Sequence, residues 1–192
     1  MRLTGGEHGG RLLKTPRDGT RPTQDKVRAA IFSSLAAMVP GARALDLFAG
    51  TGAMGLEAWS RGAANVDWVE NGTGALAVLR DNVAALGVPP GAGRVLASDV
   101  FRVLAFPCAG EGYDLVLADP PYAEAKQNGW LPKLAGLLAQ NGWVKPGGVF
   151  VFETEGKEPP PEFPGWRRVR DKTYGSTRVW IWVRESADSS SA

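Results

Sequence analysis

Polar and apolar positions along the chain follow two alternating patterns. Short apolar runs, typical of buried strands, alternate with stretches in which apolar side chains recur every three or four residues, as on one face of a helix. The predicted strands are Arg43–Phe48, Val66–Val69, Arg94–Ala97, Tyr113–Ala118 and Gly148–Glu153, and the predicted helices are Thr23–Pro40, Met54–Arg61, Gly74–Leu86 and Asn128–Asn141, with a short one after Asp99. This alternation predicts an α/β sandwich with a mainly parallel sheet.

Both ends of the chain depart from this alternation. The runs near Trp166–Lys172 and Thr177–Arg184 have no helix between them, and they predict an antiparallel hairpin at one edge of the sheet. Residues 1–22 are rich in glycine and arginine, which predicts a short hairpin that projects from the body. Residues 186–192 are small and polar, and we expect them to be disordered. The predicted organisation is a hairpin extension (1–22), one α/β domain (23–185) and a tail (186–192).

Composition excludes several classes of protein. The chain has 192 residues, of which 44% are hydrophobic and 22% charged, which are ordinary values for a globular protein. Its one cysteine, Cys108, excludes an intrachain disulfide and suits a reducing compartment. No apolar run is long enough to span a bilayer, and the N-terminus lacks the apolar core of a signal peptide. We therefore expect a cytoplasmic protein with no membrane attachment. Because no Cys or His cluster has metal-ligand spacing, we expect no metal site.

The net charge is only +2, but the charges are unevenly distributed. Residues 1–28 carry seven basic and three acidic side chains, residues 166–184 carry six and one, and residues 29–165 carry nine and fourteen. Basic clusters on one face attract phosphate backbones, although the same charges would also suit solvated strands and loops. Charge alone therefore leaves nucleic-acid binding open.

A glycine pattern follows the first predicted strand. Gly50, Gly52 and Gly55 match G-x-G-x-x-G between a strand and a helix, which is the context in which this pattern binds nucleotide-like cofactors. Glycine allows the backbone to turn sharply and to approach a ligand closely. A tight turn that packs a helix against a sheet would also explain the pattern, so it predicts a cofactor site without identifying the cofactor.

Acidic residues stand at the ends of four successive predicted strands, which parallel pairing would bring to one ligand-binding edge. They are Asp46, Glu70, Asp99 and Asp119. Glu70 can accept hydrogen bonds from a ribose diol. Asp99 can accept one from an adenine amino group, and the apolar side chain of Val100 can cover the adenine ring. Asp46 would repel a pyrophosphate at a helix N-terminus but attract a sulfonium and an ammonium group. This favours S-adenosyl-L-methionine over a dinucleotide.

The tetrapeptide Asp119-Pro120-Pro121-Tyr122 follows the fourth predicted strand. An amino nitrogen on a nucleic-acid base is a poor nucleophile, because its lone pair is delocalised into the ring. The Asp119 carboxylate and the Pro120 carbonyl can each accept one amino hydrogen, and the two prolines restrict the backbone around that carbonyl. Tyr122 can stack on the base. The tetrapeptide therefore predicts methyl transfer to a base amino group by positioning and electrostatics.

These motifs carry a resemblance to a known family. Residues 46–52, Asp-Leu-Phe-Ala-Gly-Thr-Gly, and the tetrapeptide at 119–122 resemble the class I methyltransferases that act on amino groups of bases. More narrowly, Gly10–Leu13, Arg21–Arg28 and Tyr174-Gly175 resemble the RsmD family of bacterial 16S ribosomal RNA guanine-N2 methyltransferases. The resemblance covers nearly the whole chain.

The resemblance implies a fold, an activity and a set of site residues. The implied fold is a seven-stranded, Rossmann-like class I methyltransferase sheet with an N-terminal hairpin. The implied reaction transfers a methyl group from S-adenosyl-L-methionine to the N2 amino group of a guanine in 16S ribosomal RNA, within a small ribosomal subunit or an assembly intermediate. The implied cofactor-binding residues are Asp46, Phe48, Ala49, Gly50, Gly52, Glu70, Asp99, Val100 and Asp119. The RNA contacts predicted with it are Arg11, Lys14, Arg21, Thr23 and Arg28, and we expect a monomer. Glu7 and His8 stand where family members often have a basic or aromatic residue, which weakens any RNA contact there.

Three other functions stay open at this point. A DNA adenine or cytosine amino-methyltransferase would use the same catalytic residues, but the chain has no inserted recognition domain. A NAD-dependent oxidoreductase could use Gly50, Gly52 and Gly55, and binding of NAD in place of the methyl donor would identify it. A non-catalytic RNA-binding or assembly factor would not need an intact Asp119–Tyr122 tetrapeptide.

Overall fold

The computed structural model describes residues 1–15, 22–156 and 161–186. The chain divides into two compact units, residues 1–100 and residues 101–192. In the first unit the helices are α1 (Pro22–Ser34), α2 (Ala53–Ser60) and α3 (Thr73–Ala85), and the strands are β1 (Arg43–Leu47), β2 (Asn65–Glu70) and β3 (Gly93–Ala97). The short helix α4 (Val100–Leu104) begins at the last residue of this unit.

The three strands of the first unit pair in parallel, in the order β3-β2-β1. Parallel neighbours need a crossover connection, which α2 and α3 supply. The core of this unit includes the fully buried side chains of Leu45, Leu47, Trp68 and Leu79. Gly55 allows α2 to pack closely on β2, because a Cβ at this position would lie 2.2 Å from the indole nitrogen of Trp68.

In the second unit a parallel pair of strands is followed by an antiparallel hairpin. Its strands are β4 (Tyr113–Ala118), β5 (Val144–Glu155), β6 (Trp166–Tyr174) and β7 (Thr177–Arg184), and its longer helices are α5 (Tyr122–Gln127) and α6 (Trp130–Gln140). β4 pairs with β5 in parallel, and β7 pairs antiparallel with both β5 and β6. The strand order along the seven-stranded sheet is β3-β2-β1-β4-β5-β7-β6. The predicted mainly parallel sheet with an antiparallel C-terminal edge is confirmed.

The N-terminal segment forms the predicted hairpin, but the hairpin does not project from the first unit. Arg2 and Leu12 form an antiparallel bridge, and the side chains of Leu3 and Leu13 are buried. The Glu7 amide donates to the carbonyl of Ser60 at the end of α2, at 2.7 Å. The prediction of a projecting hairpin is wrong because two of its leucines, Leu3 and Leu13, are core residues, although Leu12 is exposed. The predicted domain boundaries at residues 22 and 185 stay predictions.

Two helices differ from the predicted ones. α1 ends at Ser34, and the turns that follow leave Met38 40% exposed while Val39 is buried. The apolar stripe of α1 therefore does not continue to Met38. The other is α5, which begins directly after the two prolines in a stretch where no helix was predicted. Residues 187–192, predicted to form a disordered tail, lie outside the described residues.

Candidate functional site

The tetrapeptide predicted to be catalytic forms the connection between β4 and α5. β4 ends at Ala118, directly before Asp119, and α5 begins at Tyr122. The two prolines fill the gap because their fixed φ suits a turn and the first positions of a helix. The second unit therefore presents Asp119 at the carboxyl end of a buried strand, where open α/β sheets bind their ligands.

The two proline carbonyls of this turn have different environments. The Pro121 carbonyl accepts a hydrogen bond from the amide of Ala125 at 2.9 Å, as part of the first turn of α5. Within the described part of the chain, nothing donates to the carbonyl of Pro120. α5 thus uses one carbonyl, whereas the carbonyl of its neighbour Pro120, a buried residue, keeps its acceptor capacity. This is the carbonyl that was predicted to accept a hydrogen from the base.

The Asp119 carboxylate is partly buried and accepts a hydrogen bond from the hydroxyl of Tyr122. Burial raises the pKa of Asp119 from its ordinary value of 3.8 to about 6, against the opposing effect of the Tyr122 hydrogen bond. Among the described residues no cation forms a salt bridge with Asp119. At neutral pH the turn therefore holds a mostly ionised carboxylate that no cation of the described ranges pairs with.

Two residues that were not predicted surround the hydroxyl of Tyr122. Thr177, at the start of β7, hydrogen-bonds to it, and the charge of buried Glu153 on β5 lies close by. Burial, together with the charges of Asp119 and Glu153, raises the pKa of Tyr122. Tyr122 is therefore a neutral donor that orients the Asp119 carboxylate. Glu153 could have been found from the sequence, because it is an acidic residue near the end of a predicted strand like the four that were singled out.

A cavity of about 180 Å³ opens beside α5. Its lining includes Lys126 of α5 together with Phe152 and Trp180 from β5 and β7. Neither Asp119 nor Tyr122 contributes to this lining. The cavity is therefore separate from the acceptor groups of the catalytic turn and does not identify the place of a reacting base.

In the first unit, the glycine loop after β1 adopts the conformations that its sequence predicts. Gly50 and Gly52 have φ values of 55° and 82°, which favour glycine. Phe48 has a φ of 57° and is the only described non-glycine residue with a positive φ. Such conformations are strained for residues with a side chain and occur preferentially at functional sites. Ala49 is held to the neighbouring strand by a 3.0 Å bond from its amide to the Val69 carbonyl.

The Asp46 carboxylate lies beneath this loop. Its side chain is 2% exposed, and one oxygen accepts a hydrogen bond from the amide of Gly55, in the first turn of α2, at 2.8 Å. An acidic side chain therefore already occupies part of the helix N-terminus where a dinucleotide would place its pyrophosphate. A carboxylate in this position disfavours a phosphate at the same helix N-terminus. The hydrogen bond to Gly55 also means that Asp46 stabilises the loop directly.

The Glu70 carboxylate holds two loops together. One of its oxygens accepts the amide of Gly50 at 2.7 Å, and the other accepts the amides of Asn71 and Gly72 at 2.9 and 2.6 Å. A carboxylate offers about four lone-pair sites, so these three bonds leave about one for a ligand hydroxyl. Glu70 thus contributes to loop structure more than the sequence indicated.

The third acidic position lies between β3 and α4. Asp99 is exposed, whereas the side chain of Val100 is 3% exposed and contributes to the core. The amide of Ser98 donates to the carbonyl of Glu70 at 3.0 Å, which connects this loop to the previous one. Asp46 and Glu70 therefore lie near the carboxyl ends of β1 and β2, and Gly50 and Asp99 lie in the loops that follow β1 and β3.

Comparisons with known proteins identify the family. A family model described as "Conserved hypothetical protein 95" matches residues 1–183. Ribosomal RNA small subunit methyltransferase D of Escherichia coli (strain K12) is 35% identical over 194 residues, covering 100% of this chain and 94% of that protein. YlbH of Bacillus subtilis (strain 168) is 35% identical over 187 residues, covering 96% of this chain and 99% of that protein. The solved structure of the yhhF protein of Escherichia coli matches with a TM-score of 0.84 and 36% identity, covering 96% of this chain and 98% of that one.

The chain belongs to the RsmD family. Its fold is accordingly the Rossmann-like class I methyltransferase fold, as the sequence resemblance implied. No helix in the described ranges is long and apolar enough to cross a membrane. Within the same ranges, no group of three or more His, Cys, Asp or Glu side chains could hold a metal ion.

One RNA contact expected from the RsmD resemblance needs correction. The Arg28 side chain is 3% exposed and forms ion pairs with Asp25 at 2.9 Å and with fully buried Glu57 at 3.1 Å. Its guanidinium also donates to the carbonyl of Arg2. Arg28 is therefore an internal cation that joins α1, α2 and the N-terminal hairpin, and its guanidinium is not accessible to RNA.

The other predicted RNA contacts of this RsmD-family chain differ in whether the structure describes them and in which partners they have. Arg11 is exposed and donates to the carbonyl of Ala85 at 2.9 Å. Lys14 forms an exposed salt bridge with Asp81 at 2.8 Å. Arg21 and the side chain of Thr23 lie outside the described residues. Arg11 and Lys14 thus remain candidates, but each already has a partner within the first unit.

Proposed function

We propose that this chain transfers a methyl group from S-adenosyl-L-methionine to the N2 amino group of a guanine in 16S ribosomal RNA. The observation that carries the proposal is the pair of acceptors in the catalytic turn. Asp119 offers an ionised carboxylate, and Pro120 offers a carbonyl that no described residue uses. Two acceptors of this kind match the two hydrogens of an exocyclic amino group.

The residues of the first unit fit the proposed methyl donor. The glycines of the loop after β1 allow close approach of a ligand, and Asp46 opposes a diphosphate at the α2 N-terminus while favouring a cationic ligand. Glu70 keeps acceptor capacity for a ribose hydroxyl, and exposed Asp99 can accept a hydrogen bond from an adenine amino group. A neutral or cationic nucleoside suits this set of groups better than a phosphate-rich cofactor.

The chain's own contribution to the reaction is positioning. When bound, the methyl donor supplies an electrophilic methyl group. Hydrogen bonds to Asp119 and to the Pro120 carbonyl hold both amino hydrogens, which directs the nitrogen lone pair towards the methyl carbon. Tyr122 fixes the Asp119 carboxylate through its hydroxyl. Asp119, with a pKa of about 6, can then accept the proton that the product nitrogen releases.

The name of the Escherichia coli relative supports small-subunit ribosomal RNA as the substrate. The reacting guanine must be unpaired or flipped out of a helix to reach the turn. Because proteins recognise structured RNA mostly by its shape, we infer that the chain acts on a folded RNA or on an assembled small subunit. We propose that it acts as a monomer in the cytoplasm.

The proposal is tested by offering the protein three substrates with radiolabelled S-adenosyl-L-methionine. These are naked small-subunit RNA, small ribosomal subunits that lack the modification, and duplex DNA. We expect label on RNA or on subunits, and digestion to nucleosides should yield N2-methylguanosine. Label on DNA alone, or recovery of N6-methyladenosine, would contradict the proposal.

A matched pair of variants assigns the chemistry to the turn. Asp119→Asn should bind the methyl donor normally and should lower the rate of methyl transfer by about 100- to 1,000-fold, because an amide replaces the ionised acceptor. Asp114→Asn is the control, since Asp114 lies on β4, the strand that precedes the turn, and pairs with Lys145 at 3.1 Å. Equal turnover of the two variants would remove Asp119 from the mechanism.

A further inference from the structure

The outermost strand of the second unit carries a dense group of cations. β6 is the last strand in the sheet order, so among the strands that the structure describes none pairs with one of its two edges. Within seven residues it carries three arginines, one lysine and a single acid. The four cations are Arg167, Arg168, Arg170 and Lys172, and the acid is Asp171.

A β-bulge determines which face each of these cations occupies. The register between β6 and β7 shifts between Arg168 and Arg170, which leaves Val169 without a partner. In a regular strand, residues 167, 169 and 171 would share one face. The extra residue changes this alternation, since a bulge redirects the side chains that follow it.

Because of the bulge, one cation before it and two cations after it share one face of the hairpin. Arg167, Arg170 and Lys172 stand opposite Val183, Ile181 and Val179 of β7, which alternate along that strand and share a face. We call Arg167, Arg170 and Lys172 the β6 cation row. Arg167 and Lys172 are exposed, and Arg170 is half-buried.

The acid of the strand lies on the opposite face. Asp171 stands opposite Trp180 and receives two hydrogen bonds from Arg178, at 2.7 and 2.6 Å, and one from the Trp180 indole at 3.2 Å. Arg178 therefore neutralises the Asp171 carboxylate on the face opposite the β6 cation row. No described acid forms a salt bridge with any member of the β6 cation row.

We propose that the β6 cation row binds the phosphate backbone of the RNA substrate. The inference rests on the proposed function, because that function requires an RNA partner, and most of the N-terminal cations that the structure describes already have partners. Exposed, unpaired cations aligned on a strand can follow a chain of phosphates, and their contribution is electrostatic and independent of base sequence. Charged side chains on an edge strand can also serve only to prevent pairing between sheets, and this alternative is an outcome of the test.

The test compares two double variants that remove the same number of charges. Arg167→Gln/Lys172→Gln removes two members of the row, and Arg80→Gln/Lys133→Gln removes two exposed cations elsewhere. Binding of each protein to small-subunit RNA transcribed in vitro is measured at several KCl concentrations. Size-exclusion chromatography and thermal unfolding are measured in parallel.

We expect the row variant to bind RNA about tenfold more weakly at physiological salt, and the control variant to bind like the wild type. The slope of log affinity against log salt should fall in magnitude by about 1.4 in the row variant, because each phosphate contact on a single strand contributes about 0.7. Arg167→Lys/Lys172→Arg, which keeps both charges, should restore binding.

Several results would overturn the proposal. Equal affinities and equal salt slopes of the row and control variants would exclude a role of the row in RNA binding. Self-association of the row variant with unchanged RNA affinity would assign the cations to edge protection. Loss of affinity in the charge-conserving variant would attribute the effect to strand structure. Absence of methyl transfer to RNA by the wild-type protein would instead contradict the proposed function, and the two failures are therefore distinguishable.

Discussion

Two acidic side chains, Glu57 in the first unit and Asp119 in the second, differ in the partners of their carboxylates. In the first unit, the fully buried Glu57 carboxylate accepts hydrogen bonds from Arg28 at 3.1 Å, from Arg61 at 2.8 Å and from both the amide and the hydroxyl of Thr4. In the second unit, the Asp119 carboxylate has no cation partner among the described residues and a pKa of about 6. Glu57 is fully buried and paired with two arginines, whereas Asp119 is partly buried and has no described cation as a partner.

The presence or absence of an ion-pair partner distinguishes charged side chains with a structural role from those with a functional role. Burying a charge is unfavourable unless it is paired, so a paired charge such as Glu57 is explained by the architecture that it connects. An unpaired one such as Asp119 needs another explanation, and perturbed carboxylates of this kind are concentrated at active sites. The same distinction applies to the cations, since Arg28 is buried and paired whereas Arg167 is exposed and unpaired among the described residues.

The largest effect on stability should come from breaking the pairing in the first unit. Arg28→Gln should lower the free energy of unfolding by about 3 to 5 kcal/mol, because removing one partner of a buried ion pair leaves the other uncompensated. Urea denaturation at pH 7 measures this change. A loss below about 1 kcal/mol would mean that Arg61 alone neutralises Glu57, and would weaken the contrast between the units.

The next effect concerns catalysis in the second unit. Asp119→Asn should lower the rate of methyl transfer by about 100- to 1,000-fold, the range expected when one preorganised electrostatic contact to the reacting group is lost. The rate under single-turnover conditions measures it directly, with Asp114→Asn as the control. A loss of less than about tenfold would mean that the Pro120 carbonyl is sufficient to position the amino group.

The same variant should be more stable than the wild type at neutral pH. Folding raises the pKa of Asp119 from 3.8 to about 6, so its contribution to stability is complete below pH 4 and is lost as the pH rises through 6. Since Asp119 is partly exposed, we expect Asp119→Asn to gain about 1 to 2 kcal/mol at pH 8 and nothing at pH 4. Denaturation at both pH values checks this, and a gain at pH 4 as large as at pH 8 would attribute it to another cause.

The smallest effect should come from the β6 cation row. Arg167→Gln should change the free energy of unfolding by less than about 0.5 kcal/mol, because exposed substitutions away from packed or paired groups have small effects. Thermal unfolding of Arg167→Gln and Arg28→Gln, measured in parallel, compares the same substitution in the two units. A large destabilisation by Arg167→Gln would show that β6 depends on this side chain for its structure.

Much of the fold could be predicted because its signals are local. β4 was predicted with its observed bounds, since a buried parallel strand is a continuous apolar run that ends sharply at Asp119. The glycine loop was found for the same reason, because Gly50 and Gly52 mark positive φ values directly in the sequence. α5 was missed because the two prolines before Tyr122 indicated a loop, whereas they form the entry to a short helix.

The errors at charged positions have a common cause. Arg28 was expected at the surface because its partner Glu57 lies 29 residues away, and no local pattern indicates such a distant ion pair. The face that each β6 side chain occupies could not be predicted either, because a bulge at Val169 changes the alternation and no residue type in the sequence indicates it. Asp119 was identified because its strand end and its prolines are contiguous, but its pKa depends on burial in the folded unit.

The dependence of kcat/KM on pH tests the central claim most directly, because it reports the ionisation of groups in the free enzyme. If the unpaired Asp119 carboxylate accepts a hydrogen of the base, kcat/KM for RNA should rise with pH to a plateau, with a midpoint near 6. In Asp119→Asn the residual activity should lack this transition. A profile that is flat between pH 5 and pH 8 in the wild type, or a transition that persists unchanged in Asp119→Asn, would contradict the account.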